Sequence, residues 1–136
     1  MTGAEVVREL ARRFQAGDRD GARALMHPDI LVTQPASLPH GGTHRGHDGL
    51  DRMGAAFAEH WDRAIRDHRV YDTDGVADGI AEGVVVQVTT QTWTARATGR
   101  AATVDVVELI SVDGDLVTEI RVFPQDTDLL LGLLDA

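Results

Sequence analysis

Residues 83–123, with the sequence GVVVQVTTQTWTARATGRAATVDVVELISVDGDLVTEIRVF, contain the pattern that decides the fold. Runs rich in Val, Thr and Ile alternate here with turn signals at Thr98-Gly99 and Asp113-Gly114. A similar run precedes them and is followed by Asp78-Gly79. The pattern predicts a meander of four long antiparallel strands, roughly Arg69 to Val76, Gly83 to Arg96, Ala102 to Val112 and Leu116 to Phe123.

Helical patterns lie before the strands. Apolar residues recur at helical spacing from about residue 3 to residue 16 and stop at Gly17, and Asp18 is suited to cap a second helix that runs through Met26. A third and longest helix is predicted from about His47 to Arg66. Its apolar stripe consists of Leu50, Met53, Ala56, Phe57, His60, Trp61 and Ile65.

The remaining segments complete one domain. Ile30 to Thr33 reads as a short strand, and Pro35 to Gly46 reads as an irregular loop of the kind that often borders sites. Near the C-terminus, Asp126 is suited to cap a short apolar helix over Asp128 to Leu134. We therefore expect a single α+β domain over residues 1–136, in which a cone-shaped, curved antiparallel sheet wraps around three N-terminal helices and a short helix ends the chain.

Composition excludes several classes of function. The 136 residues carry a formal charge of −9, and the thirteen basic residues, all arginines, are scattered along the chain, so we expect neither nucleic acid nor a membrane as partner. There is no cysteine, which rules out disulfides and thiol nucleophiles. The N-terminal segment has an amphipathic pattern instead of a signal sequence, and we expect a cytoplasmic protein.

Two short stretches carry a family resemblance. Residues 16–29, AGDRDGARALMHPD, and residues 42–46, GTHRG, resemble the opening of the nuclear-transport-factor-two-like superfamily, which includes SnoaL-like polyketide cyclases and ketosteroid isomerases. With the strand meander and the tail from Glu119 to Leu134, the similarity covers nearly the whole chain in element order. It implies the cone fold and one pocket for a small apolar or polycyclic molecule, but no single reaction, because this fold serves many chemistries.

The steroid isomerase pattern itself is mostly missing. The family's carboxylate base falls at Gln34, before Pro35, and glutamine cannot abstract a proton. The family's phenol donor falls at Leu10. Only the protonated acid on the penultimate strand has a counterpart, Glu108. The resemblance therefore argues against steroid isomerisation by that mechanism.

Three ionisable residues near the last hairpin form the first candidate site. If Asp113-Gly114 is a two-residue turn, Glu108 faces Glu119 with Arg121 one step along, on a face that is otherwise apolar. In a pocket, such a cluster separates the pKa values of the two carboxylates and supports acid/base chemistry. The alternative is a solvated ladder of ion pairs, and a register slip of one residue would move Glu119 and Arg121 to the other face.

Asp126 is the second candidate for a catalytic acid or base. The resemblance implies this role, since SnoaL-like cyclases place an acidic base near the junction of the last strand and the terminal helix. The pattern favours a helix cap, which explains Asp126 without any chemistry, although the two roles are not exclusive.

Other residues are candidates for binding substrate. His40, His44 and His47 cluster near the loop, but their spacing matches no zinc signature, so we expect no metal, and His44 is placed to carry a proton at a pocket mouth. The predicted pocket wall consists of Gln34, His44, Trp61, Gln91 and Trp93. For Trp61 and Trp93 the alternative is plain core packing.

Two functions follow as hypotheses. The first is an enzyme that cyclises, isomerises or hydrates a polyketide-like or terpenoid carbonyl or epoxide without metal or organic cofactor, with Glu108, Glu119, Arg121 and Asp126 as its catalytic residues. The second is a non-catalytic ligand-binding or assembly module. In either case the resemblance, together with apolar residues on both faces of the strand from Val84 to Trp93, predicts a homodimer.

Overall fold

The computed structural model describes residues 1–72 and 83–135, which form four helices and six strands. The helices are α1 (Gly3–Gln15), α2 (Arg19–Ala24), α3 (Gly46–His60) and α4 (Thr127–Gly132). The strands are β1 (Met26–Gln34), β2 (Gly42–Arg45), β3 (Trp61–Asp72), β4 (Val84–Ala95), β5 (Ala101–Asp113) and β6 (Leu116–Pro124).

All six strands join one curled, unclosed sheet in the order β2-β1-β6-β5-β4-β3. Strand β1 runs parallel to β6, and the other neighbours are antiparallel. The sheet wraps around the N-terminal helices, and a short helix ends the chain. The predicted α+β class and curved sheet are confirmed.

Local sequence signals set the starts of the helices. The side chain of Thr2 accepts a hydrogen bond from the backbone N–H of Glu5 and the Glu5 carboxylate accepts one from Thr2, which is a capping box at the start of α1. Asp18 caps α2 by accepting from the N–H of Gly21 at 2.9 Å. Val6, Val7 and Leu10 form the buried stripe that turns α1 toward the sheet. The Asp18 cap and the apolar face of α1 match the sequence prediction, whereas the Thr2–Glu5 capping box was not predicted.

The third helix is shorter than predicted, because it ends at His60 and Trp61 begins β3. Trp61 and Ile65 are four residues apart, a spacing that places two residues on one side of either a helix or a strand. Pairing decides the outcome, since Trp61 lies opposite Ala95 and Ile65 lies opposite Gln91 of β4. The residues predicted to continue the helix therefore form the edge strand of the sheet.

Other boundaries also differ from the predictions. Strand β1 begins at Met26, and an irregularity between Met26 and Leu31 accommodates Pro28. The expected loop from Pro35 to Gly46 contains β2, which pairs with β1. Residues 73–76 of the predicted first meander strand and the turn signal at Asp78-Gly79 lie outside the described residues.

The β5–β6 hairpin has a different register from the predicted one. Asp113 pairs with Leu116, and one extra residue, Thr118, is accommodated between the pairs Val112–Val117 and Ser111–Glu119. This bulge reverses the alternation of faces, so that Glu108 lies opposite Val122. The prediction that Glu108 shares a face with Glu119 and Arg121 is wrong.

An aromatic cluster closes the core beside the sheet. The ring of Trp93 lies 5.3 Å from Trp61, 5.1 Å from Phe57 and 5.7 Å from His40, measured between ring centroids. His40 is 3% exposed, and burial lowers its pKa to about 4, with the nearby charge of Arg63 acting in the same direction. His40 is therefore a neutral part of the core at physiological pH.

Candidate functional site

A cavity of about 260 Å³ lies between α1 and the concave face of the sheet, with α3 along one side. Its floor is apolar and includes Val7, Leu10, Met26, Val32, Ile110 and Val122. Two further lining residues, Phe14 of α1 and Ile65 of β3, are 56% and 47% exposed, which places the opening between these two elements. The cavity has the shape of a small-molecule site.

Three polar side chains in the cavity form a hydrogen-bonded chain. His68 Nε2 donates to Gln87 Oε1 at 2.5 Å, and Gln87 Nε2 donates to Glu108 Oε2 at 2.9 Å. Gln87 and Glu108 are direct cross-strand partners on β4 and β5. His68 reaches them from β3 at an irregularity between Arg66 and Arg69, where Asp67 has a φ of 54°. The backbone thus aims all three side chains into the cavity.

Glu108 is held in an environment that favours its neutral form. Desolvation by the cavity wall raises the pKa of its carboxyl, while the charge of Arg63, the Gln87 hydrogen bond and His68 act against that rise. The side chain is half-buried because part of it borders the cavity. A carboxyl whose pKa is raised in this way is suited to act as a proton donor.

Arg63 brings a positive charge to the same cavity. Its guanidinium lies over the ring of Phe57, with 4.6 Å between Cζ and the ring centroid. Surrounding protein atoms lower its pKa and the charge of Glu108 opposes this shift, but the residue keeps exposed surface and remains a cation. The site therefore combines one cation with one carboxyl that is biased toward the neutral acid.

Two further amides line the cavity with fixed orientations. Gln91 is buried; its Oε1 accepts from Trp93 Nε1 and its Nε2 donates to Thr89 Oγ1, both at 2.8 Å. Gln34 Nε2 makes a weak contact of 3.7 Å with the sulfur of Met53. Gln91 is thus part of the wall, whereas Gln34 has hydrogen-bonding capacity left for a ligand.

Comparison with known proteins identifies the family. The family model for the SnoaL-like domain matches residues 7–120. The chain belongs to the SnoaL-like family. No curated protein sequence matches it.

Solved structures share the SnoaL-like fold over nearly the whole chain. An NTF2-like protein from Burkholderia xenovorans LB400 is 27% identical, with 98% of this chain and 95% of that chain covered and a TM-score of 0.79. TerC, co-crystallised with polyporic acid, is 22% identical, with 98% of both chains covered and a TM-score of 0.77. A candidate polyketide cyclase from Pseudomonas putida KT2440 is 15% identical, with 96% and 97% covered and a TM-score of 0.74.

The SnoaL-like cavity brings together only some of the residues that the sequence suggested. Glu108, Gln34 and Gln91 line it. Glu119 and Arg121 project from the opposite face of β6, where the Arg121 guanidinium lies 5.3 Å from the ring centroid of Phe123. The bulge at Thr118 is the physical reason for this separation.

The predicted aromatic and histidine wall lies outside the cavity lining. Trp61 and Trp93 are 1% and 2% exposed and belong to the core cluster. His44 lies on β2, where its Nε2 is 2.9 Å from the backbone oxygen of His40. Their contribution to the site is indirect, since Trp93 orients the amide of Gln91.

Asp126 caps α4 of this SnoaL-like domain, and its carboxylate accepts a hydrogen bond from the backbone N–H of Leu129 at 2.9 Å. Asp126 does not line the cavity.

We expect Asp126→Ala to lower the free energy of unfolding by about 1 kcal/mol, whereas Asp126→Asn keeps the cap and changes the free energy of unfolding little. Urea denaturation of both variants measures this. A loss of activity in Asp126→Asn at unchanged stability would contradict a purely capping role.

Sequence reasoning missed Arg63, His68 and Gln87. Arg63 was missed because residues 61–66 were predicted to be helical. His68 was missed because the irregularity near Asp67 changes which residues of β3 face inward. Gln87 had a usable signal: it interrupts a run of valines four residues before Gln91, so both amides face the same side of a strand.

Within residues 1–72 and 83–135, no three His, Asp or Glu side chains are arranged to hold a metal ion. No helix in the same part of the chain is long and apolar enough to cross a membrane.

Proposed function

We propose that this SnoaL-like protein is an enzyme that uses Glu108 as general acid and base on a small carbonyl or epoxide compound, without metal or organic cofactor. The observation that carries the proposal is the position of Glu108, a carboxyl with a raised pKa inside a cavity whose floor is apolar. Catalytic acids are typically tuned in this way, by burial and by a defined charge nearby.

The hydrogen-bonded chain suggests how the proton is used. Since Glu108 Oε2 accepts the Gln87 amide hydrogen, Oε1 is the atom left to carry the acid proton. In a cyclisation, an enol carbon of the substrate would attack its own carbonyl carbon while the carbonyl oxygen takes the proton from Oε1. The enol O–H proton would then return to the carboxylate, which leaves a hydroxy ketone and restores Glu108. His68 and Gln87 are positioning residues in this scheme.

The size of the cavity favours a small substrate. Its volume of about 260 Å³ lies near the lower end of the range for small-molecule sites, about 300–1,000 Å³. A small apolar molecule therefore fits this cavity better than a large polycycle. The fold that this chain shares with a candidate polyketide cyclase and with TerC, which was crystallised with polyporic acid, supports an oxygenated carbon skeleton.

A non-catalytic binding module is the second candidate. The observation in its favour is that Glu108 already has a hydrogen-bond partner in Gln87, so that the carboxyl satisfies a structural need without any substrate. Turnover of β-polyketone and epoxide analogues by the wild-type protein and by the Glu108→Gln variant separates the two functions.

We also propose that the protein is a homodimer that buries the outer face of its sheet. Val86 and Leu109 are cross-strand partners on that face, as are Val107 and the 44% exposed Phe123, so they form an apolar patch, and the Arg121 guanidinium lies beside it over the Phe123 ring. Light scattering at micromolar concentration should give a dimer, and Leu109→Glu should give a monomer, because a charge in an apolar interface is costly. Arg52→Glu, an exposed change on α3, is the control. A monomeric wild-type protein would rule out this proposal.

A further inference from the structure

The cavity contains a cation, Arg63, for which residues 1–72 and 83–135 supply no ion-pair partner. Arg63 lies opposite Trp93 in the β3–β4 pairing and lines the cavity. In the described part of the chain it belongs to no ion pair and donates no hydrogen bond, and its recorded contact is the Phe57 ring. By contrast, Arg69 and Arg96 of the same sheet region pair with Asp105 and Asp62.

The other titratable groups that the structure describes around the cavity do not neutralise this charge. The carboxyl whose charge acts on the pKa of Arg63 is Glu108, which forms no ion pair with it and whose own pKa is raised by burial. His68 uses its Nε2–H for Gln87, and His40 is held neutral. Among the described residues, Arg63 therefore brings to the cavity a positive charge that no ion pair neutralises, although the whole protein carries −9.

The stacking of Arg63 defines what can bind there. The guanidinium carbon lies over the Phe57 ring and Arg63 donates no hydrogen bond to another described residue, so its N–H groups remain available as donors. A planar fork of N–H donors matches the two oxygens of a carboxylate. Arg63 and Glu108 both line the cavity, so a ligand that fills it can reach both residues.

We propose that the substrate is a small keto or epoxy acid, whose carboxylate binds Arg63 at the opening while its carbonyl or epoxide oxygen lies toward Glu108. This inference rests on the proposed function, because it takes the role of Glu108 from there. It adds a carboxylate on the substrate, which an acid/base reaction at Glu108 does not itself require.

The test measures binding without turnover, by titration calorimetry with 4-oxo-4-phenylbutanoate and its neutral methyl ester. We expect the wild-type protein to bind the acid about 10- to 100-fold more tightly than the ester, as for hydrogen bonds to a charged group. Arg63→Gln should abolish this preference, and Arg63→Lys should keep part of it, since lysine supplies the charge without the planar fork. Arg66→Gln is the matched control, because Arg66 lies on the same strand, pairs with Asp67 and does not line the cavity.

Any one of three results would overturn the inference. The wild-type protein could bind acid and ester equally, or it could fail to bind the acid at a concentration of about 10 mM. The third such result is an undiminished preference for the acid in Arg63→Gln. Circular dichroism establishes that each variant is folded, and if Arg63→Gln is not, the reduced preference of Arg63→Lys decides. Glu108→Gln should keep the preference for the acid. If Glu108→Gln is inactive but the wild-type protein shows no preference for the acid, this inference alone is overturned. If Glu108→Gln is active and the preference for the acid is intact, the proposed role of Glu108 alone is overturned.

Discussion

Glu108→Gln is expected to lower turnover about 100- to 10,000-fold, the usual contribution of a general acid or base, with little change in stability. Glutamine has the size of a neutral glutamic acid and can still accept the Gln87 amide hydrogen through its oxygen. It cannot transfer a proton, however. Single-turnover kinetics on the analogue that the wild-type protein processes fastest is the measurement. A low rate with an unchanged dissociation constant would show that the loss lies in the chemical step.

Glu119→Gln is the matched control for this experiment. Glu119 is a glutamate of the neighbouring strand, but it projects from the other sheet face and does not line the cavity. We expect wild-type turnover from this variant. If Glu119→Gln is impaired and Glu108→Gln is not, the assignment of the acid is wrong.

The raised pKa of Glu108 also predicts how stability depends on pH. Between the ordinary pKa of 4.5 and the raised pKa of the folded state, the folded protein holds one more proton than the unfolded chain. The stabilisation present below pH 4.5 is therefore lost as the pH rises through the folded-state value, and the acid form needed for catalysis is lost over the same range. Glu108→Gln should remove this dependence, and urea denaturation of both proteins at a series of pH values measures it.

Trp93→Ala is expected to reduce the free energy of unfolding by about 3–5 kcal/mol. Trp93 is 2% exposed and its ring contacts Trp61, Phe57 and His40, so truncation leaves a large hole in the aromatic cluster. The same change removes the indole N–H that orients Gln91. Because domains of this size are stable by about 5–15 kcal/mol, the variant should be close to the limit of folding, and urea denaturation measures the difference.

Tyr71→Ala is the control for the loss of an aromatic ring on the same sheet. Tyr71 is 53% exposed on β3, and we expect a change of roughly 0.5 kcal/mol or less for such a surface site. Similar losses for Trp93→Ala and Tyr71→Ala would contradict the importance of the buried cluster. Trp93→Phe should recover part of the stability of Trp93→Ala but leave Gln91 without its indole partner, so ligand binding would remain affected.

Local patterns in the sequence determined most of the elements. The capping residues Thr2, Asp18 and Asp126 mark helix starts that the structure contains, and the β-prone runs around Val85, Val106 and Val117 are strands. Such signals depend on neighbours within a few residues of the chain, so they can be read without the fold. Glu108 was identified through the family resemblance, as the counterpart of the acid on the penultimate strand, and as a carboxyl on an otherwise apolar face.

Only the tertiary structure decided which residues share the cavity. Trp61 and Ile65 satisfy both helical and strand spacing, and pairing with β4 made them part of a strand, which brought Arg63 into the site. One extra residue at Thr118 moved Glu119 and Arg121 to the outer face, and the irregularity at Asp67 aimed His68 inward. A strand alternates faces with every residue, so a bulge of one residue reverses the side on which all later side chains lie. The energy that places such a bulge comes from contacts between distant strands, and no local pattern in the chain records it.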